Sequence, residues 1–359
     1  MRESADQYAV FVTDRGGRRR IGAFPKVADL TWERVRDDIS GAVVNLIDVK
    51  GDVLDLIREM RTVRHELEIV RNGRTVWEGP ITLIEADEQQ VRISAKDVLW
   101  YASRTRLEQA IDHAYPNIGN SIDVVEEVLL QCYGAPDPYG YNCGDYLTPI
   151  TGPDDPQTAT SVPAYTQTVW EILDKFGEDG GVDYTVVGRR IIWWDVQYRA
   201  ATMRPLTDKD FLGRLTTVEY GSELCVRGTV VNSEGVMRDA VAAQEWIDYY
   251  GMIDKVQASQ DSDGDGQADT VVITSAERMV SQGIPAPVRV RVPDNVPLSL
   301  DTDLTFDDLI PGTWAQITAA NTARPMSAWH KLDRVSVTFD GGVERVMVSF
   351  IPGTATVVT

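Results

Sequence analysis

The chain has 359 residues, with 35 Lys and Arg against 55 Asp and Glu. Its formal charge of −20 excludes a protein that grips nucleic acid through clustered cations. An apolar content of 43% with nine Trp excludes a disordered chain, and the length suits about two to four domains. The longest apolar stretches, such as Ala42 to Ile47, fall far short of the roughly 20 residues a membrane span needs, so no stable membrane insertion is expected. Residues 1–17 carry Arg2, Glu3, Asp6, Asp14 and Arg15 and lack the apolar core of a secretory signal. Cys132, Cys143 and Cys225 are too few, and odd in number, for a disulfide framework, and read as reduced thiols of a protein assembled in a cytoplasm.

In chain order, Tyr8–Thr13 and Arg20–Phe24 read as strands around the Arg15-Gly16-Gly17-Arg18 turn, and Ala42–Val49 adds another. From Glu66 to Ala95 the pattern alternates about every ten residues. Asn72-Gly73 marks a tight hairpin, because both residues tolerate positive φ, and Gly79-Pro80 marks a break. Residues 1–110 therefore read as one antiparallel β-barrel domain.

Ser121 is placed to cap a helix whose Val124, Val125, Val128, Leu129 and Cys132 recur at helical spacing. Pro136 to Pro163 reads as a long irregular loop. A second helix presents Val169, Ile172, Leu173 and Phe176, with Gly177 as its stop. Val182–Val187 and Arg190–Val196 form a hairpin around Gly188. Residues 111–203 are thus expected to be an inserted α+β domain.

From residue 204 to 359 β character returns. Leu215–Tyr220, Leu224–Val231, Val288–Val292, Trp314–Ala319, Arg334–Phe339 and Val343–Phe350 read as strands, the last two joined at Asp340-Gly341-Gly342. A short helix opens at Thr274-Ser275-Ala276-Glu277 and closes at Gly283. The expected architecture is mainly β with α+β insertions: two antiparallel β-barrel domains, 1–110 and 204–359, around the 111–203 insertion.

One local motif points to a metal. In residues 261–269, Asp261, Asp263 and Asp265 stand at positions 1, 3 and 5 of a calcium-type loop, with Gly266 for the bend. The Gln267 carbonyl and Asp269 supply further oxygens. The departure is Val272 where a bidentate Glu is expected, which leaves Asp254 or Glu277 to complete the shell. A solvated acidic turn is the alternative, and the sequence leaves both open.

Catalytic chemistry finds little support. His65, His113 and His330 stand apart without a partner motif, and no nucleophile elbow, zinc-binding H-E-x-x-H or P-loop occurs. Arg15, Arg18, Arg19 and Arg20 form the one basic cluster, read as a hairpin tip. Trp193 and Trp194 are adjacent on a strand and so face opposite sides, which favours core packing over a sugar platform.

The order of pieces resembles minor tail proteins of actinobacteriophages, of the baseplate hub or tail-associated kind. The likeness lies in Leu30-Thr31-Trp32-Glu33-Arg34-Val35-Arg36-Asp37-Asp38-Ile39-Ser40, in Glu66–Gly73 and Val76–Ile81, in Ala95–Trp100 with Arg104, in Arg278–Gly283 and in Phe306–Gly312. It implies a non-enzymatic structural protein at the tip of a long non-contractile tail, assembled in the host cytoplasm. Such hubs are homotrimers in which two tube-like barrels per copy make a pseudo-sixfold ring. The resemblance implies contacts with the distal tail protein, the C-terminus of the tape-measure protein and tip or fibre proteins, and DNA only in transit. Because the last hairpin ends near Thr359, no appended cell-wall-cleaving domain is expected. The charge agrees independently, since an acidic lumen repels the DNA backbone. Two rival readings are a calcium-dependent module binding host-surface carbohydrate and a cell-wall hydrolase using the 261–269 loop as a calcium staple.

Overall fold

The N-terminal strands turn where the sequence places Gly and Asn. In chain order they are β1 (Tyr8–Asp14), β2 (Arg20–Phe24), β3 (Asp29–Val35), β4 (Gly41–Ile47), β5 (His65–Arg71), β6 (Arg74–Ala86) and β7 (Gln90–Lys96), with helix α1 (Asp52–Glu59) before β5. Asn72 and Gly73 hold positive φ, as the expected hairpin requires. The computed structural model describes residues 8–87, 90–113, 119–134, 141–151, 157–158, 160–178, 181–196, 202–231, 237–258, 276–277, 279–300 and 304–352.

Gly79-Pro80 does not break the strand. β6 runs through both, pairing with β5 up to Pro80 and with β7 from Ile81 onward. A register shift between Ile81 and Leu83 accommodates the change of partner. Gly79 is needed here for space, because a Cβ would lie 1.9 Å from the Lys96 carbonyl oxygen.

Next come α2 (Leu99–Ala102), β8 (Ile111–His113), β9 (Gly119–Asn120), α3 (Ser121–Tyr133), β10 (Leu147–Ile150), β11 (Gln157–Thr158), β12 (Thr160–Val162), α4 (Val169–Glu178), β13 (Val182–Val187) and β14 (Arg190–Asp195). Asn120, not Ser121, caps α3, its side chain accepting the Ile122 N–H at 2.8 Å. Gly177 lies inside α4 rather than ending it. Within the expected 136–163 loop, β10 runs parallel to β14. The predicted helix faces are buried: Val124, Val125, Val128, Leu129 and Cys132 of α3 share one apolar core with Val169, Ile172, Leu173 and Phe176 of α4.

The remaining elements are β15 (Leu206–Thr207), β16 (Thr216–Glu219), β17 (Arg227–Val231), β18 (Met237–Val241), α5 (Gln244–Tyr250), β19 (Asp254–Ala258), β20 (Val288–Arg291), β21 (Val296–Pro297), β22 (Trp314–Ala319), β23 (Met326–Asp340) and β24 (Val343–Pro352). The chain forms two compact units. The larger holds Met1–Arg214, Val292–Ile317 and Trp329–Thr359, and the smaller holds Leu215–Arg291 and Thr318–Ala328.

A twelve-stranded sheet dominates the larger unit, in the order β15-β22-β23-β3-β4-β7-β6-β5-β1-β2, with β24 against β23 and β21. The two ends of the chain meet in it. β3 pairs antiparallel with β23, from Val35 opposite Arg334 to Asp29 opposite Asp340. Strands expected to build two barrels thus share one sheet, and pairing among the described residues closes no barrel. Alternation of period two builds the core: Leu30 and Trp32 of β3, Val44 and Leu46 of β4, and Val335 and Val337 of β23 are all buried.

In the smaller unit, β16 pairs with β20, and β17 lies between β18 and β19. One apolar cluster among its described residues joins Val230 and Ala276, with Ala240 and Met279 against them.

Candidate functional site

The larger unit contains an internal cluster of charge. β5 carries two glutamates, and Glu66 through Val70 are all buried. Glu66 accepts the Gly16 N–H at 3.1 Å, the Tyr101 hydroxyl and the Arg189 guanidinium. Arg189 also lies 3.1 Å from Glu78 of β6 and donates to the Tyr141 carbonyl at 3.1 Å. The turn of β1–β2 closes over this group. A Cβ on Gly17 would lie 2.1 Å from a Glu78 oxygen, so glycine there makes room for the ion pairs.

Burial alone would depress the Arg189 guanidinium, but the charges of Glu66 and Glu78 outweigh it and hold its pKa up. Burial pushes the Glu78 carboxyl up to about 7, with Arg189 pulling the other way. Beside them Arg15 stands 4.6 Å over the Tyr141 ring, which stacks on Tyr101 at 4.2 Å.

A second cluster joins β3, β13 and β23. Arg36 binds Asp183 at 2.7 Å and Asp333 at 3.2 Å, and Lys331 pairs with Asp183 and donates to the Val196 carbonyl at 2.7 Å. Burial, then the neighbouring Asp183 charge, raises the Asp37 carboxyl. Arg34 is fully buried and donates to the carbonyls of Phe306, Leu309 and Val76, each at 3.1 Å. Burial lowers its guanidinium to about 10.

Chemically these clusters act as clamps. Their carboxylates are held by cations or backbone donors, and burial pushes the Cys143 thiol up and away from nucleophilic range. No group of three His, Cys, Asp or Glu suited to a metal occurs among the described residues. No helix among them is long and apolar enough to cross a membrane.

Among the described residues, the histidines, tryptophans and arginines singled out by sequence do not meet in one place. The histidines serve local structure: His65 accepts the Arg61 N–H at 2.9 Å, His113 lies 3.0 Å from Glu127, and His330 is buried. Trp193 and Trp194 are both buried. Trp193 donates to the Ile122 carbonyl at 3.0 Å, so neither ring offers a sugar platform. Of the four arginines near the first turn, Arg15 faces inward and Arg20 binds Glu68 at 2.6 Å, which leaves Arg18 and Arg19 at the exposed tip. The proposed calcium ligands Asp261, Asp263, Asp265, Gln267 and Asp269 lie outside the described residues, as does Arg278. What sequence reasoning missed is the buried ion-pair set. Its one local signal is Gly16-Gly17 next to Arg15.

No protein-family model matches the sequence, and no curated protein matches it by sequence. Solved structures do match its backbone. The 43 kDa tail protein of prophage MuSo2 from Shewanella oneidensis aligns over 96% of this chain and 98% of its own, at 9% identity and a TM-score of 0.60. The fold is that of phage tail proteins. Prophage tail protein gp18 of Listeria monocytogenes EGD-e agrees, over 95% of this chain and 94% of its own, at 10% identity and a TM-score of 0.56. A chain of the lidless Francisella PdpA–VgrG complex is similar over 96% of this chain and 64% of its own, at 8% identity and a TM-score of 0.51.

Proposed function

We propose that this chain is a structural, non-catalytic hub protein at the tail tip of a long-tailed phage. Three copies form a pseudo-sixfold ring that joins the tail tube to the tip. In this reading each copy supplies two tube-type walls from the strands at the two ends of its chain. The observation that carries the reading is the near end-to-end match to two prophage tail proteins, in which almost no part of any chain is left over. The Francisella neighbour belongs to a PdpA–VgrG complex, which supports assembly with other proteins. Here those are the distal tail protein, the tape-measure C-terminus and tip or fibre proteins.

Charge supports the same reading. Three copies of a −20 chain bring 60 net negative charges to one ring. An acidic bore repels phosphate and lets DNA pass without binding. The buried clamps fit a part that must keep its shape under load, because they tie β3, β5, β13 and β23 together with fixed geometry. Calcium at Asp261, Asp263, Asp265, Gln267 and Asp269 belongs to the proposal as a local staple.

The test is mass in solution with imaging. Light scattering is expected to give three chains per particle and negative-stain images to show rings. A monodisperse monomer at high concentration overturns the proposal.

A further inference from the structure

The smaller unit holds a three-stranded sheet whose two edge strands have no further strand partner among the described residues. β17 is its central strand. β18 pairs antiparallel with it, from Arg227 opposite Val241 to Val231 opposite Met237. β19 pairs parallel, from Arg227 opposite Asp254 to Val231 opposite Ala258. β18 and β19 therefore run antiparallel to each other. Each is five residues long, free of proline and register shifts, and without a further strand partner among the described residues.

One face of this sheet is covered. Gly228 and Val230 of β17 turn toward Ala276 and Met279. The opposite face carries Met237 and Val241 of β18 and Val256 of β19, at 60%, 51% and 69% exposure. All five residues of β19 are exposed. Helix α5, between the two edge strands, buries none of its residues, and Tyr249 stands 77% exposed. Met237, Val241 and Val256 thus make a run of exposed apolar side chains on one face, which marks a surface that another molecule covers.

We propose that this surface joins neighbouring copies head to tail, with β19 of one copy pairing antiparallel with β18 of the next. The inference rests on the ring reading and deepens it. Three observations favour a second copy as the occupant. Two different edges of equal length and opposite direction lie on one sheet, so the same contact repeated around a rotation axis satisfies both, whereas a foreign strand fills one. Each edge carries one cation and one anion, Arg238 and Asp239 on β18 and Asp254 and Lys255 on β19, and so has no net charge within a chain of −20. Strongly acidic copies meet best where net charge vanishes. Finally, pairing all five residues sets Asp254 against Val241, Lys255 against Ala240, Val256 against Asp239, Gln257 against Arg238 and Ala258 against Met237. No like charges stand opposite each other, and side chains stay on the same faces across the junction. An edge this open, left uncovered, would be a site of uncontrolled pairing.

Cross-linking in the full chain tests the inference. The native cysteines are buried. A Met237→Cys, Ala258→Cys double variant treated with a short bismaleimide is expected to give a covalent ladder ending at three chains, while each single variant stays uncross-linked. Independently, Val256→Lys is expected to shift the mass from three chains to one with an unchanged circular dichroism spectrum. A trimer that survives Val256→Lys and yields no ladder in the double variant overturns this interface and leaves the ring reading standing. A monomeric unmodified chain overturns both. If Val256→Lys unfolds, the ladder alone decides.

Discussion

Arg189, on the turn between β13 and β14, places its guanidinium against the carboxylate of Glu66 near the start of β5, 123 residues away in sequence. Both side chains are almost completely shielded from water. Removing one partner leaves the other charge buried and unpaired, which costs far more than the pair contributes. Arg189→Met is therefore expected to lower stability by about 3–5 kcal/mol. Arg189→Met combined with Glu66→Gln is expected to recover part of that loss, because the fully buried Glu66 charge is gone and only Glu78 is left without its cation. Chemical denaturation of the unmodified chain and the two variants checks both, and equal loss in the single and double variants would rule out the clamp.

At Gly79 the constraint is steric. A methyl group there meets the Lys96 carbonyl oxygen at 1.9 Å and the Asp97 Cα at 2.7 Å, and neither is a side chain that can swing aside. Gly79→Ala must push β6 off β7 at the point where β6 changes partners, with a loss of about 1–3 kcal/mol or more. Gly73→Ala is a useful contrast. Nothing lies within 4 Å of its added methyl, so its cost is confined to the positive φ of the turn. A melting temperature lowered more by Gly79→Ala than by Gly73→Ala is the expected result.

Elements whose pattern is local were legible in the sequence. Asn72-Gly73 and Gly341-Gly342 form their hairpins, and the apolar spacing of α3 and α4 names the residues they bury. Pairing across the chain was not legible. Nothing near Asp29 says that β3 will lie beside β23, since that choice is made by packing. For the same reason Gly79-Pro80 looked like punctuation, although the strand passes through it between two partners. Nothing in the sequence sets Glu66 or Arg189 apart from the other charged residues, which are usually outside. Only the fold brings the partner that makes burial tolerable. The sheet strands were therefore readable one by one, whereas the internal clamps were hidden until strands 123 residues apart were joined.

The 261–269 segment makes a prediction that depends on sequence chemistry alone. In the proposed calcium loop, alternate carboxylates at Asp261, Asp263 and Asp265 would face one hard cation, with Gly266 for the bend after them. One calcium per chain is expected by calorimetry after chelator treatment, and Asp263→Ala with Asp265→Ala is expected to abolish the heat. Under the proposal that the loop is only a local staple, the same double variant is expected to leave the particle mass unchanged. No heat from the unmodified chain would reduce the segment to a solvated turn.

Stability should also depend on pH, with a sign fixed by burial. Asp97 accepts the N–H groups of Ser40 at 2.6 Å and Leu99 at 2.9 Å, yet complete burial outweighs these bonds and raises its carboxyl to about 7. Glu78 is raised to about 7 by burial as well. In the unfolded chain both groups titrate near 4. Between about pH 4 and 7 the folded chain thus holds protons that the unfolded chain has released, so stability is full below that window and falls as pH rises through it. The slope is at most about 1.4 kcal/mol per pH unit for each carboxyl. Glu68 and Asp210 act in the opposite sense. Burial works against their ionised forms, but the bonds from Arg20 and from Arg204 win and hold both carboxyls down, so their contribution is lost in more acid solution. Melting temperature is expected to peak near pH 5 and to fall toward pH 8. In Asp97→Asn it should be lower throughout, because an amide cannot accept both N–H groups, but the decline from pH 5 to 8 should be shallower. A variant that keeps the full decline would remove Asp97 as its source and leave the slope to Glu78, which Glu78→Gln then tests in the same scan.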